Sequence, residues 1–175
     1  NLTETIIDPK GKGLEDFWQQ SAANLLEAII THILYKRARE GTPANRQSVA
    51  YFLTDPERPG VSLEDKFKEM IAYKHYEDGR THKLVASMGT AMLNKPENER
   101  GSVISTMDST IGIYKDVVVA KNTEASDFAI MDIMNADKPV SLYLITTPDN
   151  KERLCPLLRL LINMMMKKLA AKIDY

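Results

Sequence analysis

The chain carries one cysteine, Cys155, which excludes an internal disulfide and with it a disulfide-stapled scaffold. A lone thiol is consistent with a reducing compartment. No run of about 18 or more apolar residues occurs, which leaves no bilayer-spanning helix, and no charged-then-apolar leader suggests secretion. Charge of one sign is also lacking. The formal net charge is −1, and a uniformly basic nucleic-acid binder would need many uncompensated Lys and Arg to neutralise phosphates. Any DNA contact must therefore be local. A phosphate-cradling loop needs the G-x-x-x-x-G-K-[ST] spacing, so that backbone N–H groups wrap the phosphates and the lysine reaches them. Gly11-Lys12-Gly13 lacks that spacing, and the apolar run 140–145 leads into Thr146-Thr147-Pro148-Asp149 instead of ending in an acidic pair for Mg²⁺. The chain is not expected to be an enzyme.

What is present suits a globular domain: 175 residues, 43% hydrophobic and 27% charged, are enough for one well-buried core. Asp16 to Leu34 reads as a long amphipathic helix. Phe17, Leu25, Leu26, Ile29, Ile30, Ile33 and Leu34 recur at three and four residues and are expected to be buried, while Lys36, Arg37 and Arg39 suit the negative C-terminal end before Gly41 stops the helix. Residues 1–13, with Asp8-Pro9 and Gly11 and Gly13, read as a linker with little to bury. Ser48 to Leu53 is a candidate short helix.

Ser62 and Asp65 have capping-box spacing ahead of a stripe of Leu63, Phe67, Met70 and Ile71, which predicts a helix to about His75. Glu77-Asp78-Gly79 makes a turn. Leu84, Val85, Met88, Ala91 and Met92 set the next helix, ended by Pro96, and Val103, Ile104, Met107, Ile111 and Tyr114 set another from near Glu99. Up to Tyr114 the chain reads all-alpha. Beyond it, Val117-Val118-Val119 is β-branched and short for a helix, and Ser126-Asp127 is placed to cap a turn over Ile130 and Ile133. Val140 to Ile145 has the pattern of a strand buried on both faces. Residues 150–173 form a broadly apolar helix, with Pro156 at its start or at a kink.

Four stretches carry a resemblance. Phe17-Trp18 ahead of Ser21-Ala22-Ala23-Asn24-Leu25-Leu26, then GSVISTMDSTIGIY at 101–114, ASDFAIMDI at 125–133 and PVSLYLITTPDNKERLCPLLRLL at 139–161 stand in the order found in the coupling-protein ATPases of bacterial conjugation and type IV secretion. The chain resembles that family from Asp16 onward. The resemblance implies a mainly α fold: an inserted all-alpha domain at 14–125, then a strand and C-terminal helix at 126–175 belonging to or bordering a RecA-like α/β motor domain. With the start at Asn1, it also implies a piece of a longer protein. That parent is expected to be a hexameric, membrane-anchored, DNA-translocating ATPase using ATP and Mg²⁺, with this stretch a cytoplasmic domain that itself holds no cofactor. The implied role is receiving substrates, namely DNA, relaxase and relaxosome proteins or secreted effectors. The alternative is a lid that transmits nucleotide state without touching substrate.

Candidate contact residues come from two cationic groups. Lys74, Arg80 and Lys83 flank the turn between two predicted helices, mixed with Tyr76 as DNA contacts often are; the bland reading is a solvated turn diluted by Glu77 and Asp78. Lys36, Arg37 and Arg39 form the second set, and the bland reading is helix-end compensation. His75, Asp78 and His82 do not complete a metal-ligand set, so no metal is expected. His32 reads as a hydrogen-bonded core histidine, and Cys155, beside Leu154, Pro156 and Leu157, as a buried structural thiol. The C-terminal helix, if its partner surface is absent, is expected to drive self-association.

Overall fold

The computed structural model describes residues 2–8, 13–14 and 16–170. Among the described residues the elements are α1 (Leu2–Ile7), α2 (Phe17–Glu40), α3 (Arg46–Ala50), α4 (Leu63–Ala72), α5 (Lys83–Asn94), α6 (Glu97–Ile111), α7 (Val117–Asn122), α8 (Ile130–Asn135) and α9 (Lys151–Ala170). The fold is mainly α, as expected.

The central helix is α2, against which α1, α3, α5 and α6 pack. Asp16 caps its start by accepting from the Trp18 N–H at 3.2 Å, and Gly41 ends it in the left-handed region, φ +70°, donating its N–H to the Arg37 carbonyl. Its buried stripe is Ala22, Leu25, Leu26, Ile29, His32 and Ile33. Phe17 and Leu34, expected in that stripe, are about half exposed. Leu34 lies nine residues beyond Leu25, which at about 100° per residue is half a turn off the stripe. Phe17 sits at the helix start, edge-on to Trp18, with the Lys95 ammonium 5.2 Å from its ring centroid.

Capping sets the shorter helices. Asn45 and Ser48 exchange hydrogen bonds at the start of α3, and Ser62 and Asp65 do so at the start of α4. The α3 helix starts at Arg46, two residues before the expected Ser48, and Phe52 and Leu53 follow it as buried residues outside the helix. Helix α4 ends at Ala72, three residues short of His75, because the chain turns there to bring His75 inward. It lies close against α5 at Gly89. A Cβ at Gly89 would stand 2.9 Å from Ile71 Cγ1 and 3.0 Å from the Phe67 carbonyl oxygen.

Three local expectations are corrected. Val117-Val118-Val119 is helical, because Asp116 Oδ1 accepts from the N–H groups of both Val118 and Val119, at 2.9 and 3.1 Å, and burial of Val119 and Ala120 outweighs β-branched propensity. Residues 2–7, read as part of a linker, form α1, which packs on α2, α6 and α9 with Thr3 and Ile7 buried; Pro9 and the glycines come only after it. The run Val140–Ile145 makes no strand, and no strand occurs among the described residues. Tyr143 and Ile145 are 79% and 89% exposed, since nothing here offers the run a ladder to join.

Helix α8 is capped by Asp132, whose Oδ2 accepts from the Ala129 N–H at 2.8 Å, and not by Ser126 or Asp127. Helix α9 starts at Lys151 and contains Pro156 within its run. It rests on α1 and α8 with Leu160 as its buried residue, and Ile162 and Met166 face solvent. Cys155 is exposed, the reverse of the expected buried thiol. The broad apolar surface of α9 is only partly covered, so its flanking residues are not shielded.

Candidate functional site: the cationic end of α2 and the 73–82 loop

The structure brings the two cationic groups together. The C-terminal half of α2 faces the loop between α4 and α5, where the Arg39 guanidinium donates through Nη1 to the carbonyls of Lys74 and, at 3.2 Å, of Tyr76. The loop is closed on itself. Tyr76 N–H donates to the Arg80 carbonyl at 3.0 Å, Thr81 Oγ1 to the Tyr73 carbonyl at 2.9 Å, and Gly79 takes the positive φ of +81° that the turn requires. Asp78 accepts from the Arg80 backbone N–H and from its Nε at 2.5 Å, while the guanidinium lies 5.6 Å from the Tyr76 ring centroid.

All three histidines of the chain meet behind this loop. His75 Nδ1 accepts from the His82 backbone N–H at 3.1 Å, so in the neutral ring the proton sits on Nε2. His75 Nε2–H then donates to His32 Nδ1 at 2.9 Å, which places the His32 proton on Nε2. That proton faces Glu69 Oε1 at 3.7 Å, too long for a hydrogen bond, and His32 Nε2 and His82 Nδ1 are buried without a partner. Tyr35 and Tyr73 pack edge-on against the histidine rings, and Tyr76, edge-on to Tyr35, stacks on His82 at 22° between planes.

Burial first, then His32 and His82, lowers the His75 pKa to about 4, so the ring is neutral at ordinary pH. The His32 imidazole and then the Lys36 ammonium hold Glu69 down at about 2 against the upward push of burial. Of those two, Lys36 at 2.6 Å makes the formed bond. The sequence marks His32 correctly as a core histidine, but its link to His75, 43 residues away, has no periodic or motif signal.

The six candidate cations thus divide. Lys36 is tied to Glu69, Arg39 to the loop carbonyls and Arg80 to Asp78. Arg37, Lys74 and Lys83 are exposed and ion-paired to no described residue. Among the described residues, no group of three or more His, Cys, Asp or Glu is arranged to hold a metal ion.

Residues 1–174 match the family model described as type IV secretory system conjugative DNA transfer. The chain belongs to this family. Coupling proteins of conjugation are among its relatives: two conjugal transfer proteins TraG of Escherichia coli are 45% and 43% identical over 175 residues, all of this chain. Protein VirD4 of Rhizobium radiobacter is 25% identical over 178 aligned residues, covering 94% of the chain. The chain spans 27% of each TraG relative and 22% of VirD4, so it corresponds to about a quarter of a coupling protein. No solved structure matches it. As a coupling-family chain it has, among its described residues, no helix long and apolar enough to cross a membrane.

Proposed function

We propose that this chain is the substrate-receptor part of a conjugative coupling protein, engaging relaxase, relaxosome or effector proteins, and DNA secondarily, on the way to the translocation channel. The observation that carries the protein-first reading is that the cationic end is largely occupied from within: Lys36 and Arg80 are paired with Glu69 and Asp78, and Arg39 spends its donors on loop carbonyls. Arg37, Lys74 and Lys83 remain. Three phosphate contacts give a log–log salt slope of about −2 on single-stranded DNA, far shallower than a dedicated binder shows. The test is titration of labelled single-stranded DNA against the chain at several salt concentrations. A slope steeper than about −4 would place DNA first.

ATP and Mg²⁺ are assigned to the remaining three quarters of the protein, and the 175 residues alone are expected to show no magnesium-dependent turnover. A hexameric, membrane-anchored parent, with this part on the cytoplasmic side, completes the proposal. The lid reading draws on a different observation, the exposed run at 140–145 and the partly covered α9. In that reading both segments pack on the motor, and surface changes at the cationic end leave transfer untouched.

A further inference from the structure

A cavity of roughly 620 Å³ opens beside α2, α3 and α4, within the volume range of small ligand sites. Lys66 of α4 lines it and is 1% exposed. Its ammonium carries three donors, of which one goes to Asp55 Oδ2 at 3.2 Å; the Phe52 ring centroid lies 5.4 Å away, and no second acceptor stands among the described residues. Buried donors without acceptors are costly, so a bound carbonyl oxygen would gain strongly here.

The charges around the cavity are unevenly satisfied. Arg58 donates from Nε to the same Asp55 Oδ2 at 2.8 Å and stands 3.9 Å from Glu69, while Lys36 holds Glu69 at 2.6 Å. Every cation lining the cavity is thus tied to a carboxylate of the protein. Two lining carboxylates are not: neither Glu57 nor Glu124 is ion-paired to a described residue. Both side chains are exposed, on backbone that is held in place. Asp55 Oδ1 accepts from the Glu57 N–H at 3.1 Å, and the carbonyl of Thr123, next to Glu124, accepts from Arg46 at 3.4 Å.

We propose that this cavity binds a peptide segment of a partner protein, taking a lysine or arginine side chain against Glu57 and Glu124 and a backbone carbonyl on Lys66. Pro43, Pro56 and Tyr51 line the same space and offer apolar contact to the aliphatic stem of such a side chain. An anionic ligand is disfavoured, because it would meet two free carboxylates and cations already neutralised. The cavity adjoins the 73–82 loop through Lys36, whose ammonium lies 5.7 Å from the Tyr73 ring centroid, and only the partner's identity as a transfer substrate rests on the receptor reading.

The test is fluorescence anisotropy with three labelled probes: an alternating Lys-Ala peptide, its Glu-Ala counterpart and an oligothymidylate. Glu57→Lys with Glu124→Lys is expected to weaken the basic peptide by about tenfold or more, and Glu77→Lys with Glu97→Lys, an equal change in net charge at exposed sites outside the cavity, by less than about twofold. Lys66→Met, which keeps the stem against Phe52, is expected to weaken it as well, and circular dichroism checks that each variant is folded. Equal weakening by both double variants, no weakening by the cavity pair, or separate titrations in which the oligonucleotide or acidic peptide binds more tightly than the basic peptide would overturn the proposal. Because these readouts use no transfer assay, failure of the cavity is separable from failure of the receptor role.

Discussion

His75 links the cationic loop to the core, and its lowered pKa ties folding to pH. Unfolded it titrates near 6.5 and folded at about 4, so between those values the unfolded chain binds the extra proton. Stability is therefore full above about pH 6.5 and falls as the pH drops toward 4, by roughly 3 kcal/mol in total. Glu69, depressed from 4.5 to about 2, extends the loss below pH 4.5. Urea denaturation at pH 7 and pH 5 should show this fall, and His75→Gln, though less stable at pH 7, should flatten it. An unchanged pH dependence in that variant would remove His75 from the account. The residue-level reading of the sequence was strongest where chemistry is local. Candidate cations can be named from type alone, whereas their neutralisation by Glu69 and Asp78, and the exposure of Cys155, depend on contacts that spacing does not encode.

Helices α4 and α5 approach through Gly89, and Gly89→Ala separates close packing from helix propensity. Alanine gains about 1 kcal/mol of propensity, but its Cβ would press on Ile71 and on the Phe67 carbonyl, backbone that cannot swing away. The expected net is a loss of about 1–2 kcal/mol by thermal or chemical denaturation. Asp116→Ala should cost a similar amount, about 1–2 kcal/mol, by removing the α7 cap and the 2.6 Å bond from Arg153 of α9. Asp116→Asn keeps much of the cap and should recover most of it.

Elements with a three-and-four stripe, α2, α4, α5 and α6, were legible from the sequence because burial on one face leaves that period. Helix α7 was missed because one capping carboxylate overrode three β-branched residues. The 140–145 run reads as a strand for a sound reason, its composition, yet strands need partners that these residues do not supply.

At the scale of the whole molecule, the helical body leaves two apolar segments partly open, the run 140–145 and the outer face of α9 around Ile162 and Met166. The open face of α9 gives a prediction at this scale: sedimentation should show association rising with concentration, and Ile162→Asp with Met166→Asp should return a monomer. A monomer at all concentrations would show that the open face of α9 needs no cover. Fold class and family membership were legible from the stripes and the ordered motifs, while the cavity and the histidine cluster were not, since each joins residues from three or more segments.

The central claim, receipt of protein substrates with DNA secondary, is tested most directly by titrating a labelled relaxase and labelled single-stranded DNA against the chain at low and high salt. The account predicts that relaxase binding persists at high salt, while DNA binding is weak, has a slope of about −2 and is lost in Arg37→Glu with Lys74→Glu and Lys83→Glu. Tight, steeply salt-dependent DNA binding without relaxase binding, or binding of neither, would contradict it.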